Sequence, residues 1–301
     1  MFYQWITKMG LAVLLFSFGS NAAYAQINVF ACEPEWAALT QQLGGTAVKV
    51  FSATTNQQDP HYIQARSSLI AKVRRADLLV CTGADLEVGW LPLLLRKSGN
   101  AKVLPGQIGH FMAADQVALL EKPAVLDRSQ GDVHAAGNPH IHLDPLRIQK
   151  IANALTQRLI KIDPANSTLY QKNGQDFTQQ WQQAIKKWHQ AAKVLRGKRV
   201  VVSHNSWVYL EQWLGLKRVA TLEPKPGVPP SSRHLSKVLT QLKQSPAAMI
   251  LTASYQNNQS ARWLVKKTAI PSIELTFSPA KNETLIEWFD QIVSQLIKVG
   301  S

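Results

Sequence analysis

Hydrophobic positions along the chain fall into two rhythms. Residues 27–32 and 48–52 are short runs rich in Val, Ile and Phe, as buried strands require, and residues 35–44 between them carry apolar positions at helical spacing that stop at Gly-Gly. This reads as strand, helix, strand. The same reasoning predicts a helix over 67–75, a strand over 78–81, a helix over 86–97 and a short strand over 102–104. From His110 to Asn138 the pattern lapses into Pro, Gly and polar residues, which predicts a loop.

Asp144-Pro145 has the form of a helix N-cap followed by Pro at the first helical position, and opens a helix through about Ile162. Asp163-Pro164 repeats the device, and residues 166–195 follow as one long helix, interrupted at most by Gly174. After Gly197 the alternation resumes, with strands over 199–203, 218–221, 249–252 and 272–275 and helices over 207–214, 232–244, 259–267 and 283–299.

Strands alternating with helices point to parallel sheets with helical crossovers. The expected fold class is therefore α/β: two parallel-sheet lobes joined by a long connecting helix, with a site in the cleft between the lobes. The expected divisions are an N-terminal lobe over 26–145, a helical connection over 146–196 and a C-terminal lobe over 197–301. No residue-level repeat relates the lobes. Ahead of them, Lys8, an apolar run over 11–18 and the ending Ala23-Tyr24-Ala25 make residues 1–25 a secretory signal peptide, since the run is far short of the roughly 20 residues that span a bilayer. The mature chain is expected in the periplasm, as a monomer.

The formal charge of +14 would suit a nucleic-acid partner, but the basic residues are scattered in ones and twos, as at Arg74-Arg75, Lys186-Lys187 and Lys266-Lys267. Export and scatter together argue for solvated helix faces and against nucleic acid. Cys32 and Cys81 are the two cysteines, each ending a strand-like run, and in an oxidising compartment they leave open one disulfide or two buried thiols.

Three histidines stand where a strand has ended or a helix is about to begin: His61 in Asp59-Pro60-His61, His140 in Asn138-Pro139-His140, and His204 in Ser203-His204-Asn205. Neutral imidazole suits zinc and its first-row neighbours. Proline before His61 and His140 stiffens each approach, and imidazoles from both lobes would let one ion bridge the cleft.

With Asp59-Pro60-His61, Ala76-Asp77-Leu78 leading to Thr82-Gly83, Glu87 with Trp90-Leu91, and above all Asn138-Pro139-His140-Ile141-His142-Leu143-Asp144-Pro145, the chain resembles the zinc- and manganese-binding solute-binding proteins of bacterial ABC importers. The likeness runs from Ile27 to the C-terminus. It implies that His61, His140 and His204 coordinate a transported divalent metal ion, and that the partner is the importer's membrane permease. Where many members of that family carry a fourth, carboxylate ligand, this chain has Leu275-Thr276-Phe277-Ser278-Pro279. Loss of a hard oxygen favours zinc over manganese, the second choice. The fourth position is left open among water, Glu33, Glu35, Asp59, Glu223 and His142, with packing preferred for His142.

His134, in Gly131-Asp132-Val133-His134, resembles a much reduced form of the family's His-rich loop; an accessory capture role and a plain surface loop are equally open. His110, His189 and His234 are assigned to structure or surface. Two other function classes stand beside metal transport. A three-histidine zinc site with an open position would serve a hydrolase or lyase, although no H-E-x-x-H or similar motif is present, and a binder of a chelated metal or non-metal solute would use the imidazoles as hydrogen-bond donors.

Overall fold

A computed structural model describes residues 26–123, 131, 132 and 134–300. Residues 1–25, read above as a signal peptide, lie outside the described residues. In chain order the elements are β1 (Ile27–Ala31), α1 (Pro34–Gly44), β2 (Val48–Ser52), α2 (Ser67–Arg74), β3 (Leu78–Cys81), α3 (Leu91–Ser98) and β4 (His110–Met112). Then follow α4 (Pro145–Ile162), α5 (Ser167–Ala191), β5 (Arg199–Val202), α6 (Val208–Leu214), β6 (Lys217–Thr221), α7 (Ser232–Gln244), β7 (Met249–Ala253), α8 (Gln259–Thr268), β8 (Ser272–Leu275) and α9 (Leu285–Gly300).

The strands form two four-stranded sheets in the orders β2-β1-β3-β4 and β6-β5-β7-β8, and every pairing is parallel. Parallel sheets covered on both faces need apolar side chains on both faces of their inner strands. Accordingly β3 and β7 are buried at every position, whereas the edge strand β8 alternates exposed and buried. In each sheet the order reverses between the two inner strands, β1 and β3 or β5 and β7, and the crevice beyond their carboxyl ends is where such sheets bind ligands. Two lobes of one topology thus arise without a shared residue pattern.

Three expectations are corrected. Residues 101–103 form a 3-10 turn, because the Asn100 side chain accepts a hydrogen bond from the Lys102 amide and caps it. The fourth strand lies further on, inside the stretch read as loop: β4 pairs His110, Phe111 and Met112 with Leu79, Val80 and Cys81. Helix α3 begins at Leu91, five residues late, since Ala84 and Asp85 have positive φ and the Glu87 carboxylate accepts from the Thr82 and Gly83 amides. That folds the preceding segment into turns.

Register explains the cysteines. Ala31 pairs with Val80, so the next residues, Cys32 and Cys81, stand opposite each other and are disulfide-bonded, with Cα atoms 4.8 Å apart. The 25 residues of α5 span about 37 Å at 1.5 Å per residue. Its buried face, Phe177, Trp181, Ala184 and Trp188, packs on α4 and α9, with the Trp181 indole donating to Pro145 O and the Trp188 indole to Asp290. One continuous core runs from Val29 and Trp36 through α4, α5 and α9 to Val200 and Leu251, so the lobes share their interior. No helix among the described residues is long and apolar enough to cross a membrane.

Candidate metal centre

The loop after β2 brings His61 to the cleft. Pro60 O accepts from the buried Trp90 indole at 2.9 Å, which anchors the loop on the first lobe. Asp59 then accepts from both the His61 amide, at 3.0 Å, and His61 Nδ1, at 2.7 Å. Burial alone would raise the Asp59 carboxyl, but the hydrogen bonds it accepts from His61 hold it below its usual value. An ionised carboxylate only accepts, so Nδ1 carries the proton and the Nε2 lone pair faces the cleft.

His204 repeats the arrangement from the other lobe. Val202 pairs with Thr221, so His204 and Glu223 leave neighbouring strands two residues later, side by side. Glu223 accepts from His204 Nδ1 at 2.7 Å and from the Gly227 amide at 2.9 Å. Here too Nε2 is the free nitrogen.

His140 is buried, and its amide donates to the Asn138 side chain. Asn138 in turn is held by the second lobe: its amide group donates to Asn205 O at 2.8 Å and its carbonyl accepts from the Tyr209 hydroxyl at 2.6 Å. Burial first, and the surrounding imidazoles second, keep His140 well below the usual imidazole pKa. It is neutral, and its buried Nδ1 has no hydrogen-bond partner among the described residues.

The three rings close a triangle. Their centroids are 5.5 Å apart for His61–His140, 6.0 Å for His61–His204 and 5.9 Å for His140–His204. One nitrogen from each lies within 4.8 Å of the other two. Beside them is a cavity of about 150 Å3, lined by Asp132, His134, Asn138, His140 and His204 among others. A larger groove of about 550 Å3 between α4 and α5 is lined by amides such as Gln157, Gln171 and Gln175, which are poor donors for a transition metal.

His134 Nε2 lies 3.3 Å from His61 Nε2, and the remaining acids and imidazoles make contacts away from the triad. His142 donates from Nε2 to Phe277 O at 3.1 Å and stacks on Trp288, and burial pushes its pKa down to about 3. Its Nδ1 is 3.4 Å from Glu35, whose carboxyl burial raises to about 7, so this contact is polar rather than an ion pair. Glu33 accepts from the Thr82 hydroxyl and, with Glu87, from the Thr82 amide, deep in the first lobe. Thr276 uses its carbonyl to accept from the Trp288 indole. His110 and His234 bond to the backbone oxygens of Val103 and Thr221, and His189 lies exposed on α5.

Residues 29–299 match the family model described as ZnuA, zinc-uptake complex component A, periplasmic. The chain belongs to this family. Among relatives it is 26% identical over 186 residues to the high-affinity zinc uptake system protein ZnuA of Bacillus subtilis, and 24% identical over 235 residues to the zinc-binding lipoprotein AdcA of Streptococcus pneumoniae. Those matches cover 62% and 77% of this chain but 58% and 46% of the relatives, so the chain spans about half the length of the curated relatives it matches. The manganese ABC transporter substrate-binding lipoprotein PsaA of Streptococcus pneumoniae is 21% identical over 86% of this chain and 82% of its own. A ZnuA crystal structure shares the fold with a TM-score of 0.77 at 19% identity, covering 92% of this chain and all of that one. A cadmium-bound periplasmic metal-binding protein from Candidatus Liberibacter asiaticus does so with a TM-score of 0.73 at 17% identity, over 92% and 100% of the two chains.

Proposed function

We propose that the chain is a periplasmic solute-binding protein that captures one zinc ion through His61, His140 and His204 and delivers it to the membrane permease of an ABC importer. It acts as a monomer, exported by its N-terminal segment. The observation that carries the proposal is convergence: three imidazoles from both lobes meet at one point, and two of them are held by a carboxylate on Nδ1, which leaves Nε2 as the nitrogen for an ion. Such backing fixes tautomer and ring direction and raises ligand basicity. Family membership and the zinc-uptake relatives agree with it.

Manganese is the second cargo, in view of the manganese-transport relative. The donor set favours zinc, because nitrogen ligands suit it and manganese prefers oxygen. A zinc hydrolase or lyase would need an acid free to act as a general base near the ion. Asp59 and Glu223, the acids beside the triad, are engaged on imidazole Nδ1 atoms, which supports transport over catalysis. Metal analysis of protein purified without chelator tests the reading: one zinc per chain is expected, and a preparation that takes up no zinc, or holds manganese in preference to it, contradicts it.

A further inference from the structure

A tetrahedral zinc needs a fourth donor; Asp59 and Glu223 are bonded to the triad's own Nδ1 atoms, and Glu33 to Thr82. His134 presents Nε2 to His61 Nε2 at 3.3 Å, with the two rings 5.3 Å apart. With Zn–N bonds of about 2.0–2.1 Å, neighbouring nitrogens of a tetrahedral shell lie about 3.3–3.4 Å apart. The pair therefore already stands at the edge length of such a shell. Because His61 Nδ1 donates to Asp59, His61 Nε2 must accept here, so without metal His134 donates its Nε2 proton across this gap.

The backbone around His134 is fastened to both lobes. The Tyr62 hydroxyl donates to Asp132 at 2.5 Å, and the Ala135 amide donates to Asp85 at 3.2 Å, both on the first lobe. The Asp132 amide donates to Pro226 O at 3.0 Å on the second. His134 lines the cavity together with His140 and His204.

Resting on the zinc-capture reading, we infer that His134 is the fourth zinc ligand, so that the ion is held by four imidazoles. The ligand nitrogens of the triad all lie within 4.8 Å of one another. On metal entry the His134 proton moves from Nε2 to Nδ1 as Nε2 turns its lone pair to the ion. A four-nitrogen shell also explains how the chain dispenses with the carboxylate absent at Thr276, and it sets selectivity against manganese.

The test is cobalt(II) substitution of the apoprotein, read by visible absorption and by X-ray absorption counting of imidazole ligands, with zinc affinity measured in parallel. Wild type is expected to give the intense bands of four-coordinate cobalt and a count of four imidazoles. His134→Ala should lose one imidazole, gain water, show weakened bands and bind zinc at least about 10–100-fold more weakly, the range seen even for outer-shell changes. His189→Ala, on the exposed face of α5, should match wild type. If His134→Ala keeps the wild-type spectrum and count, the inference is wrong even where its affinity falls, and the three-histidine capture reading stands. If wild type binds neither zinc nor cobalt, both fall.

Discussion

His61 and His204 each place Nδ1 2.7 Å from a carboxylate, and this fixes which nitrogen is left for an ion. Asp59→Ala and Glu223→Ala are each expected to weaken zinc binding by about 10–100-fold while leaving one site per chain, as competition titration against a chromophoric chelator would record. The histidines themselves were legible in the sequence, two through a preceding proline and all three through resemblance. The role of Glu223 was not, because its partner is 19 positions away and only the β5–β6 register brings them together. His134 was legible only as a much reduced form of the family's His-rich loop, with capture and plain surface roles equally open. Glu35 carries a separate expectation. Its folded pKa of about 7 exceeds the usual value of 4.5, so the folded metal-free protein prefers the acid form. That contribution is fully present below about pH 4.5 and is lost as pH rises through about 7. Glu35→Gln, close to Glu35 in shape and without its charge, should therefore be more stable than wild type at pH 8 and equal to it at pH 4, as denaturant unfolding in the presence of chelator would show.

At the scale of elements, the close approach of α4 and α5 depends on a glycine. A Cβ at Gly174 would lie 2.9 Å from Thr156 Cγ2 and Oγ1, and Thr156 is held by its own bond to Ala152 O. Alanine would gain about 1 kcal/mol of helix propensity, but overpacking a tight contact costs about 1–3 kcal/mol. Gly174→Ala should lower the unfolding temperature, and adding Thr156→Ala should restore it; a stabilised single variant would show that the helices yield. The long helix was readable despite that glycine because its apolar face recurs on both sides of it. The inner strands were readable because burial on both faces makes them continuous apolar runs. Strand β4 escaped notice: three residues are too few for a periodic signal, and its pairing with β3 is a tertiary fact. The turn before α3 was hidden for a similar reason, since the Glu87 contacts that impose it are spatial.

At the scale of the molecule, the lobes share one core, and the cleft between them receives imidazoles from both. An ion held there binds only the folded chain, so it should raise stability by about 4 kcal/mol at a thousandfold excess over Kd. The central claim is that one zinc bridges the lobes through His61, His140 and His204. Calorimetric titration of chelator-stripped wild type and His140→Ala with zinc tests it most directly, because His140 is the most buried of the three and its Nδ1 has no other partner among the described residues. The expected result is one tight site per wild-type chain, with a matching rise in unfolding temperature, and the loss of both in the variant. Equal zinc affinity in wild type and His140→Ala would contradict the claim.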